Sequence, residues 1–310
     1  MEFSFRKVNN FKLYANHAWY VPGVGGMLVL LLWFLVGIFL SSLFTVVLGA
    51  FVPRQALINY GMLVGYPLMF LPAMVYVSVK SQRNSLFEVG YQLNNSHFGP
   101  FKPWGIALLT VALTFATMIS ADLPNYLNYH FTQRVPSLAK AYEDLMDMLG
   151  QLTGGPFWSS FLLTAIFAPV FEEWLCRGMV LRGLLTTKMK PGWAIVISAA
   201  FFAFIHMNPW QSLNAFIIGL VMGYVYYRTG SLWLTMLIHF LNNGFATICA
   251  QIDSLAEYDF WIDMMGVSTY AVVYVLGVAV LCLCLWLLHR IPLEQPRGNI
   301  DEIPVLQDDF

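Results

Sequence analysis

The chain has 310 residues, of which 58% are hydrophobic and only 11% are charged. Ordinary soluble domains carry about 25% charged residues, so these charges are too few to cover a water-facing surface. The formal net charge of −1 at pH 7 gives no indication of a basic face, which excludes nucleic acid as a partner. The composition therefore predicts an integral membrane protein whose main solvent is the lipid bilayer.

Hydrophobic segments of suitable length occur eight times along the chain. A membrane-spanning helix needs roughly 20 mostly apolar residues. The segments lie near 27–50, 60–79, 105–121, 157–181, 193–208, 213–228, 232–252 and 268–289. The fifth and sixth are short, and the helix-breaking pair Asn208-Pro209 separates them. The pattern predicts an all-α, polytopic transmembrane helix bundle of about eight spans.

The distribution of basic residues predicts the orientation of this bundle. If the amino terminus is cytoplasmic, twelve of the sixteen Lys and Arg residues fall in cytoplasmic segments and three fall outside. Cytoplasmic loops are the ones enriched in Lys and Arg. We therefore expect residues 1–26 to form a cytoplasmic segment, 27–289 a single transmembrane domain, and 290–310 a polar cytoplasmic tail.

The longest predicted loop, 122–156, contains an amphipathic segment. Leucines and one tyrosine recur there at helical spacing, at Leu138, Tyr142, Leu145, Leu149 and Leu152. This stripe predicts a helix over about 136–152 that lies on the membrane surface or packs over the bundle. Its role, as a lid or as ordinary surface packing, stays open at this point.

Ionisable residues inside the predicted spans are the most informative feature of the sequence. A charge at the centre of a bilayer costs about 2.5–3.5 kcal/mol on insertion scales. The fourth span nevertheless contains Glu172, Glu173 and Arg177. Glu173 and Arg177 are i, i+4 neighbours and can form an ion pair. Glu172 lies about 100° further around the helix, which leaves it without a local partner.

Two further spans carry histidines that could meet Glu172. His239 and Asn243 share one helix face in the seventh span, and Phe202 and His206 share one in the fifth. At 1.5 Å per residue, the polar side chains lie about 10–20 Å from the cytoplasmic ends of their helices. The hydrocarbon core is roughly 30 Å thick. The sequence therefore predicts one active-site cavity between helices near mid-membrane.

This set of residues supports more than one chemistry. Glu172 with His206 could orient a water molecule and act as its general base. His239 and Asn243 could then donate hydrogen bonds to a developing oxyanion. Alternatively, His206, His239 and Glu172 could hold Zn²⁺ or another divalent metal. The same groups could also relay protons in a proton-coupled transporter, or belong to a non-catalytic scaffold.

Taken in order, the three segments resemble the motifs of a known family. E-E-x-x-x-R at 172–177, F-x-x-x-H at 202–206 and H-x-x-x-N at 239–243 are similar to those of the CAAX protease and bacteriocin-processing (CPBP) family. That family includes the type II CAAX prenyl endopeptidases. The resemblance covers roughly 157–252 and implies an intramembrane endopeptidase.

The resemblance also implies roles, a substrate class and a location. Glu172 and His206 would activate water, and His239 and Asn243 would form the oxyanion hole. Glu173, Arg177 and Phe202 would support the site. Both a metalloprotease and a metal-free glutamate mechanism have been argued for the family, and both stay open. The expected partner is a peptide or membrane-protein substrate, and the expected location is the plasma (inner) membrane of a bacterium. A non-catalytic immunity protein remains an alternative.

Overall fold

A computed structural model describes residues 20–81, 96–153, 156–293 and 306–307. The helices within these ranges are, in chain order, α1 (Val24–Gly49), α2 (Arg54–Lys80), α3 (Pro103–Gln133), α4 (Pro136–Thr153), α5 (Phe157–Thr186), α6 (Pro191–Ile205), α7 (Pro209–Thr229), α8 (Leu232–Cys249), α9 (Asp253–Ala256), α10 (Trp261–Met265) and α11 (Val267–His289). The predicted all-α, polytopic bundle is thereby confirmed.

Six of the helices in the described ranges are long and apolar enough to cross a membrane: α1, α2, α3, α5, α8 and α11. The other two predicted spans correspond to α6 and α7. With fifteen residues, α6 is about 22 Å long, which is shorter than the roughly 30 Å hydrocarbon core. The first turns of α7 carry Gln211, Ser212 and Asn214, which lower its hydropathy. The count of eight spans is therefore not confirmed.

Segments near the two ends of the chain meet in a short parallel strand pair. Strand β1 (Tyr20–Val21) pairs with β2 (Leu306–Gln307), so both lie at the same end of the bundle. Residues 1–19 of the predicted amino-terminal segment and 294–305 of the predicted tail lie outside the described residues. The domain division and the cytoplasmic location of the termini stay predictions.

Close packing between α1 and α2 fixes the position of one site residue. A Cβ atom added at Gly37 would overlap the backbone carbonyl oxygen of Met69, so only glycine allows the two backbones to approach this closely. The Ser41 hydroxyl donates to the carbonyl oxygen of Gly65 at 2.7 Å. The residue after Gly65 is Tyr66, whose side chain extends from α2 to α5.

The central helix α5 is not a regular α-helix. It contains two π-helical segments, Leu162–Phe167 and Trp174–Leu181, on either side of the α-helical segment Ala168–Glu173. The backbone N–H of Ala168 bonds to the carbonyl oxygen of Leu163, five residues earlier. The next residue, Pro169, has no N–H. The carbonyl oxygen of Thr164 therefore loses its backbone donor and is free to accept from a side chain.

The predicted amphipathic helix is present as α4, Pro136–Thr153. The ring of Tyr142 makes edge contacts with the rings of Tyr129 on α3 and Trp210 on α7, both with centroids 5.5 Å apart. Of the two arrangements expected from sequence, α4 therefore packs over the bundle.

Candidate active site

The three motif segments meet between α5, α6 and α8. Glu172 lies at the midpoint of α5, His206 directly follows α6, and His239 lies near the midpoint of α8. Glu172 Oε2 is 3.9 Å from Nε2 of His206 and 3.9 Å from Nε2 of His239. These separations are too long for direct hydrogen bonds and leave room for a bridging water.

Backbone geometry fixes the ring of His206. Its Nδ1–H donates to the carbonyl oxygen of Phe202 at 2.7 Å, so in the neutral ring Nε2 is the free acceptor and faces Glu172. Met207 has a φ of 50°, a left-handed conformation that ends α6 at this point. The side chain of His206 is 21% exposed, which makes it the most open of the three groups.

A carboxylate fixes the ring of His239. Its Nδ1–H donates to Glu173 Oε1 at 3.1 Å, and Nε2 again faces Glu172. Its side chain is only 5% exposed. The bond to this buried carboxylate fixes the tautomer and the orientation of the ring.

Glu173 and Arg177 form the predicted i, i+4 ion pair. Arg177 Nη1 lies 2.7 Å from Glu173 Oε1, and both side chains are completely buried. Arg177 Nη2 also donates to the carbonyl oxygen of Gly219 on α7 at 3.0 Å. The pair therefore connects α5 to α7, and through His239 to α8.

The ring of Phe202 lies between the Glu173–Arg177 ion pair and the two histidines. The guanidinium carbon of Arg177 lies 4.4 Å from the centre of its ring, a favourable cation–π distance. The same ring meets the rings of His206 and His239 edge-on, with centroids 4.7 and 5.6 Å away. Phe202 thus fixes the distance between the two imidazoles.

Tyr66 is a site residue that sequence reasoning missed. Its hydroxyl makes a short hydrogen bond to Glu172 Oε1, so the carboxylate that lacked a local partner receives one from α2. The other oxygen, Oε2, is buried and has no hydrogen-bond partner among the described residues. Tyr66 is one of fifteen tyrosines and belongs to none of the three motifs, so no sequence signal distinguished it.

Asn243 lies one turn beyond His239, about 6 Å along the axis of α8. Its Nδ2 donates to the free carbonyl oxygen of Thr164 at 2.9 Å, and its Oδ1 accepts from Asn242 at 3.0 Å. In the described part of the chain no hydrogen bond joins Asn243 to Glu172 or to either histidine. The structure therefore brings Glu172, His206 and His239 together, and holds Asn243 against α5.

The predicted metal ligands are not arranged around a common metal position. No group of three or more His, Cys, Asp or Glu side chains among the described residues is placed to hold a metal ion. The ligands of a tetrahedral zinc lie about 3.4 Å apart for usual bond lengths, which is shorter than the 3.9 Å between Glu172 and each histidine. These residues do not fit zinc as placed, and a metal requirement stays a prediction.

Replacing Arg177 with methionine should destabilise the protein strongly. The change leaves Glu173 buried without its cation, and breaking a buried pair in this way costs about 3–5 kcal/mol. Thermal unfolding in detergent micelles measures the effect. Arg54→Met, at an exposed position, is the matched control and should unfold as the wild type does. An Arg177→Met protein as stable as this control would show that the pair does not hold the helices.

Comparison with known proteins agrees with the motif pattern. Residues 154–245 match the family model described as type II CAAX prenyl endopeptidase Rce1-like, and this range contains all three motifs. Searches of curated proteins and of solved structures gave no match. With its membrane-spanning helices the chain is an integral membrane protein, and its segment 154–245 is similar to the type II CAAX prenyl endopeptidases, in agreement with the resemblance of its motifs to the CAAX protease and bacteriocin-processing (CPBP) family.

Proposed function

We propose that this protein is an intramembrane endopeptidase in which Glu172 and His206 activate a water molecule. The similarity of residues 154–245 to the type II CAAX prenyl endopeptidases supports proteolysis in general. The observation that supports this mechanism is the position of Glu172 Oε2, which has no hydrogen-bond partner within the described ranges and is equally distant from Nε2 of His206 and of His239. A water molecule between these atoms would have two acceptors that orient it.

The first step would be attack of this water on a peptide carbonyl carbon. Glu172 accepts the proton as the new C–O bond forms, and Nε2 of His206 holds the remaining O–H in line. Tyr66, through its hydrogen bond to Oε1, keeps the carboxylate turned toward the water. When the C–N bond breaks, the proton on Glu172 passes to the leaving amine.

His239 and Asn243 would stabilise the tetrahedral oxyanion. With Glu173 bound to its Nδ1–H, a protonated His239 can donate Nε2–H to the negative oxygen. Asn243 uses one Nδ2–H for Thr164 and has a second available. Removing one oxyanion donor typically costs about 2.7–4 kcal/mol of transition-state stabilisation. Glu173, Arg177 and Phe202 would act by positioning these groups.

Glu172→Gln and His206→Ala should each lower peptide cleavage by about 100-fold or more while folding is retained. Each change removes a proton acceptor, and general-base catalysis contributes about 10²–10⁴-fold. The measurement is hydrolysis of a pool of quenched fluorescent peptides by protein in liposomes. Glu257→Gln and His130→Ala, both at exposed positions, are matched controls. Cleavage at wild-type rates by both site variants would contradict the mechanism.

Tyr66→Phe should lower kcat about tenfold and leave KM nearly unchanged. Tyr66 contacts Glu172 rather than the substrate, and a hydrogen bond to a charged group is worth about 1.5–3 kcal/mol. Tyr60→Phe, at an exposed position of the same helix, should have no effect on either constant. A raised KM with an unchanged kcat would assign Tyr66 to substrate binding instead.

Metal dependence has a separate test. Because the separations between Glu172 and the histidines exceed those of zinc ligands, cleavage should persist after treatment with a strong chelator. Elemental analysis of the purified protein should then show less than one divalent metal per chain. Loss of activity on chelation and recovery with Zn²⁺ would instead identify His206, His239 and Glu172 as metal ligands.

A further inference from the structure

A cavity of about 360 Å³ lies at the end of the bundle where α3 and α8 finish. Helices α3, α4, α7 and α8 surround it, together with the segment that leads into α10. Its volume is within the range of roughly 300–1,000 Å³ that is usual for ligand sites. Met146 and Tyr142 of α4 line it, so the amphipathic helix forms part of its wall.

Both ionisable carboxyl groups among the described lining residues of this cavity are aspartates. Asp122 and Asp259 line it, and none of its described lining residues is Lys, Arg or His. Asp122 is only 8% exposed. Its Oδ1 accepts from the backbone N–H of Trp261 at 3.2 Å, and its Oδ2 has no hydrogen bond in the described ranges. The hydroxyl of Tyr270 is close enough to interact with Asp122, although neither this hydroxyl nor Oδ2 meets the distance and angle of a hydrogen bond among the described residues. A buried carboxylate without a cation is costly, so a positively charged ligand would stabilise it.

The remaining walls suit an organic cation. Three aromatic residues line the cavity: Tyr129, Tyr142 and Trp210. The ring of Tyr142 meets each of the other two edge-on, with ring centroids 5.5 Å apart. Aromatic faces attract ammonium and guanidinium groups. Asn125 and Asn214, joined by a 3.1 Å hydrogen bond, add amide oxygens that can accept from such groups.

The cavity adjoins the candidate active site along α8 and along the segment that follows His206. Asn242 lines it and donates to Asn243 Oδ1 at 3.0 Å. Asn242 lies about 4.5 Å from His239 along the axis of α8. Trp210 lies four positions after His206 in the sequence. An extended peptide advances about 3.3 Å per residue, so a side chain in this cavity would belong to a residue within a few positions of the cleaved bond.

We propose that this cavity binds a lysine or arginine side chain of the peptide substrate, with Asp122 and Asp259 as its acidic partners. The inference rests on the proposed endopeptidase function and adds a substrate class to it: peptides with a basic residue near the cleavage site.

Binding can be tested without turnover by using the Glu172→Gln protein in lipid nanodiscs. The probes are two fluorescein-labelled pools of short peptides that are identical except for one fixed position, lysine in one and norleucine in the other. Norleucine keeps the carbon chain and lacks the ammonium group. We expect the lysine pool to bind roughly tenfold more tightly, as for other charged hydrogen bonds, and less so at high salt.

Substitutions in the cavity should remove this preference. Asp259→Asn and Asp122→Asn should each reduce the ratio of lysine-pool to norleucine-pool affinity toward one. Asp259 is exposed, and the Asp122→Asn change keeps the oxygen that accepts from Trp261. Asp253→Asn, an exposed aspartate outside the cavity, is the matched control and should preserve the ratio.

Each outcome separates the two proposals. Equal binding of the two pools, or a preference that survives both cavity substitutions, would overturn the cavity assignment even if wild-type cleavage depends on Glu172. A lysine preference that requires Asp259, without any Glu172-dependent cleavage, would support the cavity and overturn the endopeptidase. If nanodiscs of phosphatidylethanolamine abolish lysine binding that nanodiscs of phosphatidylglycerol allow, a lipid amine occupies the cavity and the proposal is wrong.

Discussion

The ion pair between Glu173 and Arg177 holds the helices of the site in place. Both side chains are completely buried, in an environment where an unpaired charge is expensive. Two further hydrogen bonds of the pair reach other helices: Glu173 Oε1 also accepts from His239 on α8, and Arg177 Nη2 donates to the carbonyl oxygen of Gly219 on α7. With Phe202 of α6 stacked on the guanidinium, a single charge pair orients four helices. The distance from Glu172 to the histidines depends on this arrangement.

The irregular backbone of α5 serves the same purpose. Within a membrane, a backbone carbonyl that loses its helical partner must find another within the protein. Because Pro169 has no N–H, the carbonyl oxygen of Thr164 lacks its helical donor, and the side-chain amide of Asn243 donates to it instead. In the second π-helical segment the carbonyl oxygen of Cys176 accepts from the hydroxyl of Ser198 on α6 at 3.0 Å. The two π-helical segments therefore supply attachment points for α8 and α6 on either side of Glu172.

The two histidines have similar positions relative to Glu172 but different partners. His206 donates to a neutral backbone carbonyl, whereas His239 donates to the carboxylate of Glu173. In both rings Nδ1–H is the donor, so both Nε2 atoms face Glu172. In the proposed mechanism, this difference in partners distinguishes the ring that orients the water from the ring that stabilises the oxyanion.

The sequence alone determined the features that depend on composition and local spacing. The low charge content indicated lipid as the solvent, i, i+4 spacing predicted the Glu173–Arg177 pair, and three ordered motifs indicated a resemblance to the CPBP family. Contacts between distant segments left no local pattern: Tyr66 reaches Glu172 across 106 positions, and the acidic cavity combines residues from four helices and a loop. The predicted count of eight spans was not confirmed, because α6 is short and the first turns of α7 are polar. Tertiary structure decided these features, since only packing shows which polar groups satisfy one another inside a membrane.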